Sequence, residues 1–246
     1  MELKIYQVDA FTEKVFGGNP AAVVPLEKWL SDDILQKIAL ENNLSETAFY
    51  VKEEGRYLLR WFTPTVEVDL CGHATLATAH VLFEHEGHQG DMISFYSFRS
   101  GNLNVTKTSM GLTLDFPTDT VSKAILTQDL LDCFIEKPTE AYRGNSDVVL
   151  VFNSEEEIRN IQFDLTKIAQ VQARGVIATA AGGNVDFVSR FFGPQVGVPE
   201  DPVTGSAHTT LTPIWAEKLG KNRLTAKQLS TRGGDLFCEL LGERVA

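Results

Sequence analysis

The sequence contains few cysteines, and their spacing suggests no pairing. Three occur in 246 residues, at Cys71, Cys133 and Cys238, and no C-x-x-C spacing is present. An odd number of widely separated cysteines argues against a disulfide framework and against a zinc site built on cysteine pairs. We therefore predict a reduced, cytoplasmic protein.

Long apolar segments and an excess of positive charge are also missing. No run of 18 or more apolar residues occurs, so no transmembrane helix is predicted. The N-terminal stretch lacks the basic start and apolar centre of a signal peptide. Lys and Arg number 22 against 33 Asp and Glu, which gives a formal net charge of −11. This balance disfavours nucleic acid and anionic membranes as partners, although a small local site can still bind an acidic substrate.

Nucleotide-binding and metal-binding patterns are absent as well. The sequence has neither a G-x-G-x-x-G loop nor a P-loop, so no nucleotide cofactor is predicted. His80, His85 and His88 are spaced too irregularly to indicate a metal triad. We predict neither a cofactor nor a metal.

The feature that the sequence does contain is a phrase that occurs twice. The pattern F-x-P-x-V-x-V spans residues 62–68 and again residues 192–198, an offset of 130 (192 − 62). Each copy is followed by a glycine, Gly72 or Gly205, that opens a long apolar segment with helical spacing. The second copy has three extra residues before its glycine. The repeat predicts two similar halves, each with a strand, a turn and a helix N-terminus.

The same offset recurs outside the phrase. Residues 37–39 match residues 167–169, and Ala48 matches Ala178. These matches favour an internal duplication, and they place Glu46 opposite Val176. We expect one half to span residues 1–115, with 225–246 returning to it, and the other half to span residues 116–224. In the helix predicted from Ser206 to Leu219, Pro213 predicts a kink or a late helical start.

The two predicted helix starts are candidate anion sites. A helix N-terminus presents unpaired N–H groups and a partial positive charge, and Gly72 and Gly205 allow a ligand to approach the backbone closely. Two such termini facing one cleft would bind a small acidic molecule. The alternative is that each glycine only makes a tight turn between strand and helix.

Three side chains are candidates for the chemistry. Glu46 enters a predicted strand with small or apolar neighbours, and partial withdrawal from water makes a carboxylate a usable proton donor and acceptor. The alternative is a solvated acid at a strand end. Asp201 is a further candidate, or an ordinary turn residue before a helix. His73 could donate a hydrogen bond, or it could be a satisfied core histidine.

Six short motifs occur in order along the chain: V-D-A-F at 8–11, F-G-G-N-P-A-A-V at 16–23, L-S-E-T-A at 44–48, R-W-F-T-P at 60–64, L-C-G-H-A-T at 70–75 and E-D-P-V-T-G-S-A at 200–207. In these motifs and in their order the sequence resembles the phenazine-biosynthesis PhzF-like isomerase family. Together these motifs are highly specific, although none of them is specific alone.

The resemblance implies a diaminopimelate-epimerase-like α+β fold. It has two pseudo-symmetric halves, each a curled, mostly antiparallel sheet or barrel around a central helix. It also implies a cofactor-free isomerase that moves a proton between carbons of a small carboxylic acid of dihydro-anthranilate type. Glu46 would be the catalytic acid and base, with Asp201 and His73 in support. The residues that would bind the substrate are Asn19, Gly72, Gly205 and Ser206. A homodimer is expected from the resemblance.

Two other functions stay open. Racemases of this fold use two thiols, and Cys71 lies where one would belong, but Ser206 at the second helix start supplies none. A non-catalytic protein that binds small acids is the other alternative. Arg232 departs from the amide that many relatives have in the tail, and the chain stops at Ala246 just as a further strand could begin, which suggests a clipped C-terminus.

Overall fold

The contacts of the protein divide it into two units. The structure is a computed structural model that describes residues 2–109 and 111–246. The first unit ends at Phe116 and the second begins at Pro117, one residue beyond the boundary expected from the sequence. Strand β9 (Phe116–Pro117) lies at the junction.

The first unit is an eight-stranded sheet with two helices. Its helices are α1 (Asp32–Asn42) and α2 (Gly72–Glu84). Its strands are β1 (Tyr6–Ala10), β2 (Asn19–Leu26), β3 (Glu46–Glu53), β4 (Arg56–Phe62), β5 (Glu67–Val68), β6 (Met92–Ser97), β7 (Gly101–Thr108) and β8 (Gly111–Leu114). They are ordered β1–β2–β3–β4–β6–β7–β8, with β5 paired to β4. The β2–β3 and β4–β6 pairs are parallel, and the other pairs are antiparallel.

Helix α2 lies on the inner face of this sheet and is buried along most of its length. Its many alanines and threonines leave little side-chain bulk, which allows strands β1, β2, β3, β7 and β8 to approach it closely. Ala48, Leu59 and Trp61 of the sheet pack in the same cluster as Ala74 and Ala77 of the helix. Helix α2 is thus enclosed on nearly all sides, with a few exposed positions such as His80.

Helix α1 covers the outer face. Two acids, Asp32 and Asp33, occupy its first turn, where the helix dipole favours negative charge. Asn43 ends it in the left-handed conformation, with its N–H donated to the Ala39 carbonyl. Local sequence features therefore account for both ends of the helix.

The second unit has the same plan with more helices. Its helices are α3 (Gln128–Asp132), α4 (Glu155–Asn160), α5 (Leu165–Ile168) and α6 (Gly205–Leu219), with a 3₁₀ turn at Pro194–Val196. Its strands are β10 (Ser122–Ala124), β11 (Glu140–Arg143), β12 (Asp147–Val151), β13 (Gly175–Ala181), β14 (Phe187–Gly193), β15 (Val198–Asp201), β16 (Arg223–Gln228), β17 (Gly234–Leu241) and β18 (Arg244–Val245). Their order is β10–β11–β12–β13–β14–β16–β17–β18, with β15 paired to β14.

The pairing pattern of the first sheet recurs in the second. The β12–β13 and β14–β16 pairs are parallel, as β2–β3 and β4–β6 are in the first unit, and the intervening pairs are antiparallel. Helix α6 packs against β16, β17 and β18, and its Trp215 stacks on Phe187 of the sheet. The prediction of two pseudo-symmetric α+β halves is confirmed.

An ion pair marks equivalent places in the two units. Arg60 donates from Nε and Nη2 to the two carboxylate oxygens of Glu67, at 2.7 and 2.9 Å. Arg190 makes the same two contacts with Glu200, at 2.7 and 2.9 Å. Each guanidinium also lies over a phenyl ring of its own strand. Paired donors of this kind fix strand β5 or β15 against its neighbour.

The structure corrects the alignment of the halves at β3. Arg60 is paired with Phe49, whereas Arg190 is paired with Ala178. Ala178 lies in the cluster formed with the outer helices α4 and α5, whereas Ala48 lies on the inner face toward α2. The counterpart of Phe49 is therefore Ala178, so the offset between the two halves in this strand is 129 (178 − 49) rather than 130. With an offset of 129, the counterpart of Glu46 is Gly175.

Two further expectations change. Residues 225–246 contain most of β16 and all of β17 and β18. These three strands belong to the second sheet, so this segment does not return to the first unit. Helix α6 begins at Gly205 and runs through Pro213 without a late start, because the carbonyl that Pro213 leaves unbonded, that of Thr209, accepts the N–H of Asp119 at 3.3 Å. At the end of the chain, β18 pairs with β17. In the part of the chain described, no helix combines the length and hydropathy needed to cross a membrane.

Candidate active site

Glu46 is the first residue of β3, at the end of the sheet where helix α2 begins. It is paired with Ala21 of β2, and its side chain points to the inner face with that of Ala48. The side chain is 16% exposed, so one edge of the carboxylate is accessible while the rest is enclosed. The solvated strand-end acid that the sequence left open is therefore not what the structure contains.

His73, in the first turn of α2, lies directly against Glu46. Its Nε2 is 3.1 Å from Glu46 Oε2. That oxygen is buried, and it accepts no well-aligned hydrogen bond from any residue within 2–109 and 111–246. The contact is consequently a close approach of a ring nitrogen to a carboxylate oxygen rather than an aligned hydrogen bond.

Cys71 is the N-cap residue of α2 and completes a cluster of three side chains. Its Sγ lies 3.5 Å from His73 Nδ1 and 4.0 Å from Nε2. Burial, with the nearby Glu46 charge, raises the pKa of the Cys71 thiol to about 11. Cys71 is therefore a protonated thiol at neutral pH.

The pKa of His73 is shifted by opposing effects. Burial disfavours its charged form, but proximity to Cys71 and to Glu46 outweighs burial and raises the pKa well above its ordinary value. The protonated form of the His73 ring is therefore favoured by its two neighbours in the cluster, Cys71 and Glu46.

Two of the predicted binding residues lie beside this cluster. Gly72 is the first residue of α2, and a Cβ added there would come within 3.3 Å of the Phe116 ring, so the position has little room for a side chain. Asn19 starts β2, two residues before the partner of Glu46, and is fully buried. The structure therefore brings Asn19, Glu46, Gly72 and His73 to one end of the first unit.

The second unit places Asp201, Gly205 and Ser206 around the start of α6. Asp201 ends β15, and its Oδ2 accepts a hydrogen bond from the Thr204 hydroxyl at 2.6 Å. Its backbone carbonyl accepts from Gln228 Nε2 at 2.7 Å. These contacts order the turn before α6, which agrees with the turn-residue interpretation and leaves the catalytic role of Asp201 a prediction.

Arg174 was missed by the sequence reasoning. Its guanidinium donates to the Ser206 hydroxyl at 3.0 Å, and its other nitrogens bind the carboxylate of buried Asp147. Arg174 immediately precedes β13. The only sign of Arg174 in the sequence was a charged residue directly before an apolar strand.

The starts of the two central helices have different partners. The first turn of α2 contacts the carboxylate of Glu46, and the first turn of α6 contacts the guanidinium of Arg174. The expectation that both helix starts face one cleft stays a prediction.

Two sheets of like topology, each packed on one central helix, define the fold class of the epimerase-like α+β proteins. A predicted epimerase of Pseudomonas aeruginosa has this fold, with a TM-score of 0.70 at 18% identity over 99% of this chain and 95% of its own. At that identity the likeness concerns the fold alone.

Closer relatives identify the family. The phenazine biosynthesis-like protein family matches residues 8–242. A Pseudomonas aeruginosa protein named as an uncharacterized isomerase is 50% identical over 100% of this chain and 94% of its own. The crystal structure of a PhzF-family phenazine biosynthesis protein from Enterococcus faecalis superimposes with a TM-score of 0.96, at 48% identity over 100% of this chain and 94% of its own. The chain belongs to the phenazine biosynthesis-like (PhzF) family, and it is an isomerase.

Proposed function

We propose that this isomerase moves a proton within a small carboxylic acid substrate without a cofactor, and that Glu46 carries the proton. The observation that supports this most directly is the position of Glu46, 3.1 Å from His73 at the start of α2 and partly enclosed. A carboxylate that exchanges a proton with carbon needs this partial shielding together with an accessible edge.

The proposed reaction has two proton transfers. The Glu46 carboxylate removes a proton from a carbon adjacent to unsaturation, and the electron pair delocalises into the substrate. The same carboxyl group then returns the proton to a different carbon on the same face. Between the two transfers the carboxyl proton can exchange with solvent at the accessible edge of Glu46. One proton is removed and one is returned, so no oxidant or reductant is needed.

His73 and the N-terminus of α2 would support these steps electrostatically. His73 Nε2 lies 3.1 Å from Glu46 Oε2, so a proton on the His73 ring would stabilise negative charge that develops at this point. Unpaired N–H groups at Gly72 and His73 would bind the substrate carboxylate or the charge that develops on it. The lack of a side chain at Gly72 lets the substrate approach this backbone.

The thiol alternative is weaker because of the environment of Cys71. Its pKa of about 11 leaves little thiolate at neutral pH, and thiolate is the form that removes protons. A second thiol at the start of α6, which the thiol mechanism needs, is also missing, because the N-cap residue there is Thr204. The other two cysteines lie elsewhere: Cys133 is the C-cap residue of α3, and Cys238 lies in β17.

The test is Glu46→Gln, assayed by exchange of substrate protons in deuterated water. A panel of small unsaturated carboxylic acids, including a dihydro-anthranilate type, would be followed by NMR with the wild type and the variant. Exchange should fall by roughly 10²–10⁴-fold, the usual contribution of a general acid–base, while ligand-induced thermal stabilisation persists. Glu53→Gln, an exposed carboxylate on the same strand, is the matched control and should exchange normally.

Other outcomes would redirect the assignment. Undiminished exchange in Glu46→Gln contradicts the glutamate mechanism. Normal exchange in Glu46→Gln combined with its loss in Cys71→Ala favours the thiol mechanism. A wild-type protein that binds an acid of the panel and exchanges none of its protons favours a non-catalytic binding protein.

A further inference from the structure

Glu46, Cys71 and His73 present three different metal-ligating atoms to one point. Their carboxylate oxygen, sulfur and ring nitrogen all lie within 4.8 Å of one another. Carboxylate, thiolate and imidazole are the three side-chain ligands that Zn²⁺ prefers in proteins. Cys71 and His73 are two residues apart in the sequence, whereas Glu46 lies in a separate strand. The sequence alone therefore does not indicate that the three side chains form a group.

Two of the three distances between ligand atoms are near those around a tetrahedral ion. With usual zinc–ligand bond lengths, sulfur and nitrogen ligands are about 3.6 Å apart and nitrogen and oxygen ligands about 3.4 Å apart. Here Cys71 Sγ lies 4.0 Å from His73 Nε2, and that nitrogen lies 3.1 Å from Glu46 Oε2. Each separation differs from the tetrahedral value by less than about half an ångström, which small side-chain rotations can supply.

The surroundings of the cluster leave one ligand atom without an aligned partner among the described residues. Glu46 Oε2 is buried and accepts no aligned hydrogen bond from the residues within 2–109 and 111–246. The three ligands come from the first residue of β3 and from the start of α2, both packed in the core of the first unit. The exposed edge of Glu46 is a route of entry.

We propose that this cluster is a binding site for zinc and zinc-like divalent cations, with Glu46, Cys71 and His73 as the three protein ligands. The fourth position is left for an exogenous ligand such as a carboxylate. Binding forms the metal–sulfur, metal–nitrogen and metal–oxygen bonds and releases the protons of Cys71 and His73 to solvent. The ion would be an inhibitor rather than a cofactor, because it occupies the carboxylate assigned to proton transfer.

The experiment uses Co²⁺ as a spectroscopic probe on the full chain after treatment with a chelator. One Co²⁺ per chain should bind and produce the near-ultraviolet band of a thiolate–cobalt bond. Zn²⁺ added afterwards should abolish the band by displacement. Cys71→Ser should lose the band, and its Zn²⁺ affinity should fall by more than the ~10–100-fold that loss of an outer-shell partner costs.

Cys238→Ser is the matched control, because Cys71 and Cys238 are each 6% exposed. It should keep the band and the affinity. Glu46→Gln provides a second test that leaves the thiol in place: the band should persist with weaker binding, and circular dichroism checks that each variant folds. Binding that survives Cys71→Ser but is lost in His85→Asn would assign the ion to the surface histidines and overturn the proposal. Equal Co²⁺ spectra for Cys71→Ser and wild type would also overturn it.

The site itself does not depend on the proposed function, and only the inhibitory effect rests on it. If the enzyme exchanges protons, Zn²⁺ should stop the exchange and a chelator should restore it. If no acid of the panel is turned over, the cobalt spectrum still decides whether the site exists. Conversely, failure to bind Co²⁺ leaves the Glu46→Gln exchange test intact.

Discussion

At the scale of single residues, environment separates two buried histidines of the same chain. His73 lies beside Cys71 and Glu46, and its pKa is raised despite burial. His208 is equally enclosed in α6, and no acidic side chain among the described residues shifts its pKa. Its Nδ1 contacts the Thr204 carbonyl at 2.8 Å, which assigns the proton to that nitrogen. Burial lowers the pKa of His208 from 6.5 to about 4, so it stays neutral where an exposed histidine would begin to charge.

This shift predicts a dependence of stability on pH. Below about pH 6.5 the unfolded chain binds a proton at residue 208 that the folded chain does not bind until the pH approaches 4. Stability therefore falls as the pH falls through this window. Between about pH 7 and about pH 5 the His208 contribution should be about 2 kcal/mol.

Urea unfolding of the wild type and of His208→Asn at several pH values measures this contribution. Asparagine retains a donor for the Thr204 carbonyl and does not titrate, so the variant should lose about 2 kcal/mol less than the wild type over that range. His85→Asn, on an exposed histidine, is the control and should follow the wild type. Parallel pH profiles for His208→Asn and the wild type would refute the prediction.

The site residues show how far the sequence leads at this scale. Glu46 and His73 were found because their motifs resemble those of a family, and the structure places the two side chains in contact. Cys71 was considered only as a rival nucleophile, and Arg174 was not considered. The roles of Cys71 and Arg174 depend on which side chains lie beside the start of α2 or α6. Local sequence spacing does not show which residues are neighbours in space.

At the scale of elements, helix α6 shows how a rule of local conformation is satisfied by a tertiary contact. Pro213 cannot donate a hydrogen bond to the carbonyl of Thr209 four residues earlier. The Asp119 N–H binds that carbonyl instead, at 3.3 Å, and the Thr210 hydroxyl donates to the Asp119 carboxylate at 2.7 Å. Pro213 therefore leaves the Thr209 carbonyl free to accept the hydrogen bond that holds Asp119 against the helix.

Pro213→Ala should weaken that anchor. The new N–H competes for the Thr209 carbonyl, so the Asp119 amide should exchange its hydrogen about fivefold faster, the equivalent of a ~1 kcal/mol hydrogen bond. Hydrogen exchange followed by NMR measures the effect. The Lys221 amide, which binds the Ala216 carbonyl at the other end of α6, is the internal control. Unchanged exchange at Asp119 would show that the proline does not maintain the contact.

At the scale of the whole molecule, the two units repeat one plan with different charges around the repeated ion pair. Glu67 has a second partner, because Arg99 Nη2 lies 2.9 Å from its Oε2. Arg190 is the one cationic partner found for Glu200 among the residues that the structure describes. Glu67 and Glu200 are similarly enclosed, with side chains 15% and 19% exposed.

The difference predicts unequal costs for equivalent substitutions. Arg190→Met leaves Glu200 enclosed without a cation and should reduce the free energy of unfolding by about 3 kcal/mol, whereas Arg60→Met should cost about 1 kcal/mol less because Arg99 remains. Methionine preserves much of the packing against the phenyl ring in both variants. Chemical denaturation of the two variants under the same conditions tests the order, and an equal or reversed order would contradict it.

Several properties of the whole molecule follow from the sequence alone. The repeated phrase, the apolar helices after Gly72 and Gly205, and the family motifs are local patterns, and local patterns determine element type and topology once a repeat is recognised. Membership of the PhzF family and the isomerase class agree with them. The homodimer, the cytoplasmic location and the nature of the acid stay predictions.

Only the tertiary structure decided which residues of the two halves are equivalent. A constant offset of 130 residues makes Val176 the counterpart of Glu46. In the structure, the strand residues that pair with Arg60 and Arg190, and the helices that they pack against, make Gly175 its counterpart instead. A shift of one residue turns every side chain of a strand to the other face, and the burial of each face fixes the shift. The second half has no carboxylate at either position. The tertiary structure also brings Cys71, His73 and Glu46 together, because strand β3 and helix α2 meet only when the sheet packs on its central helix.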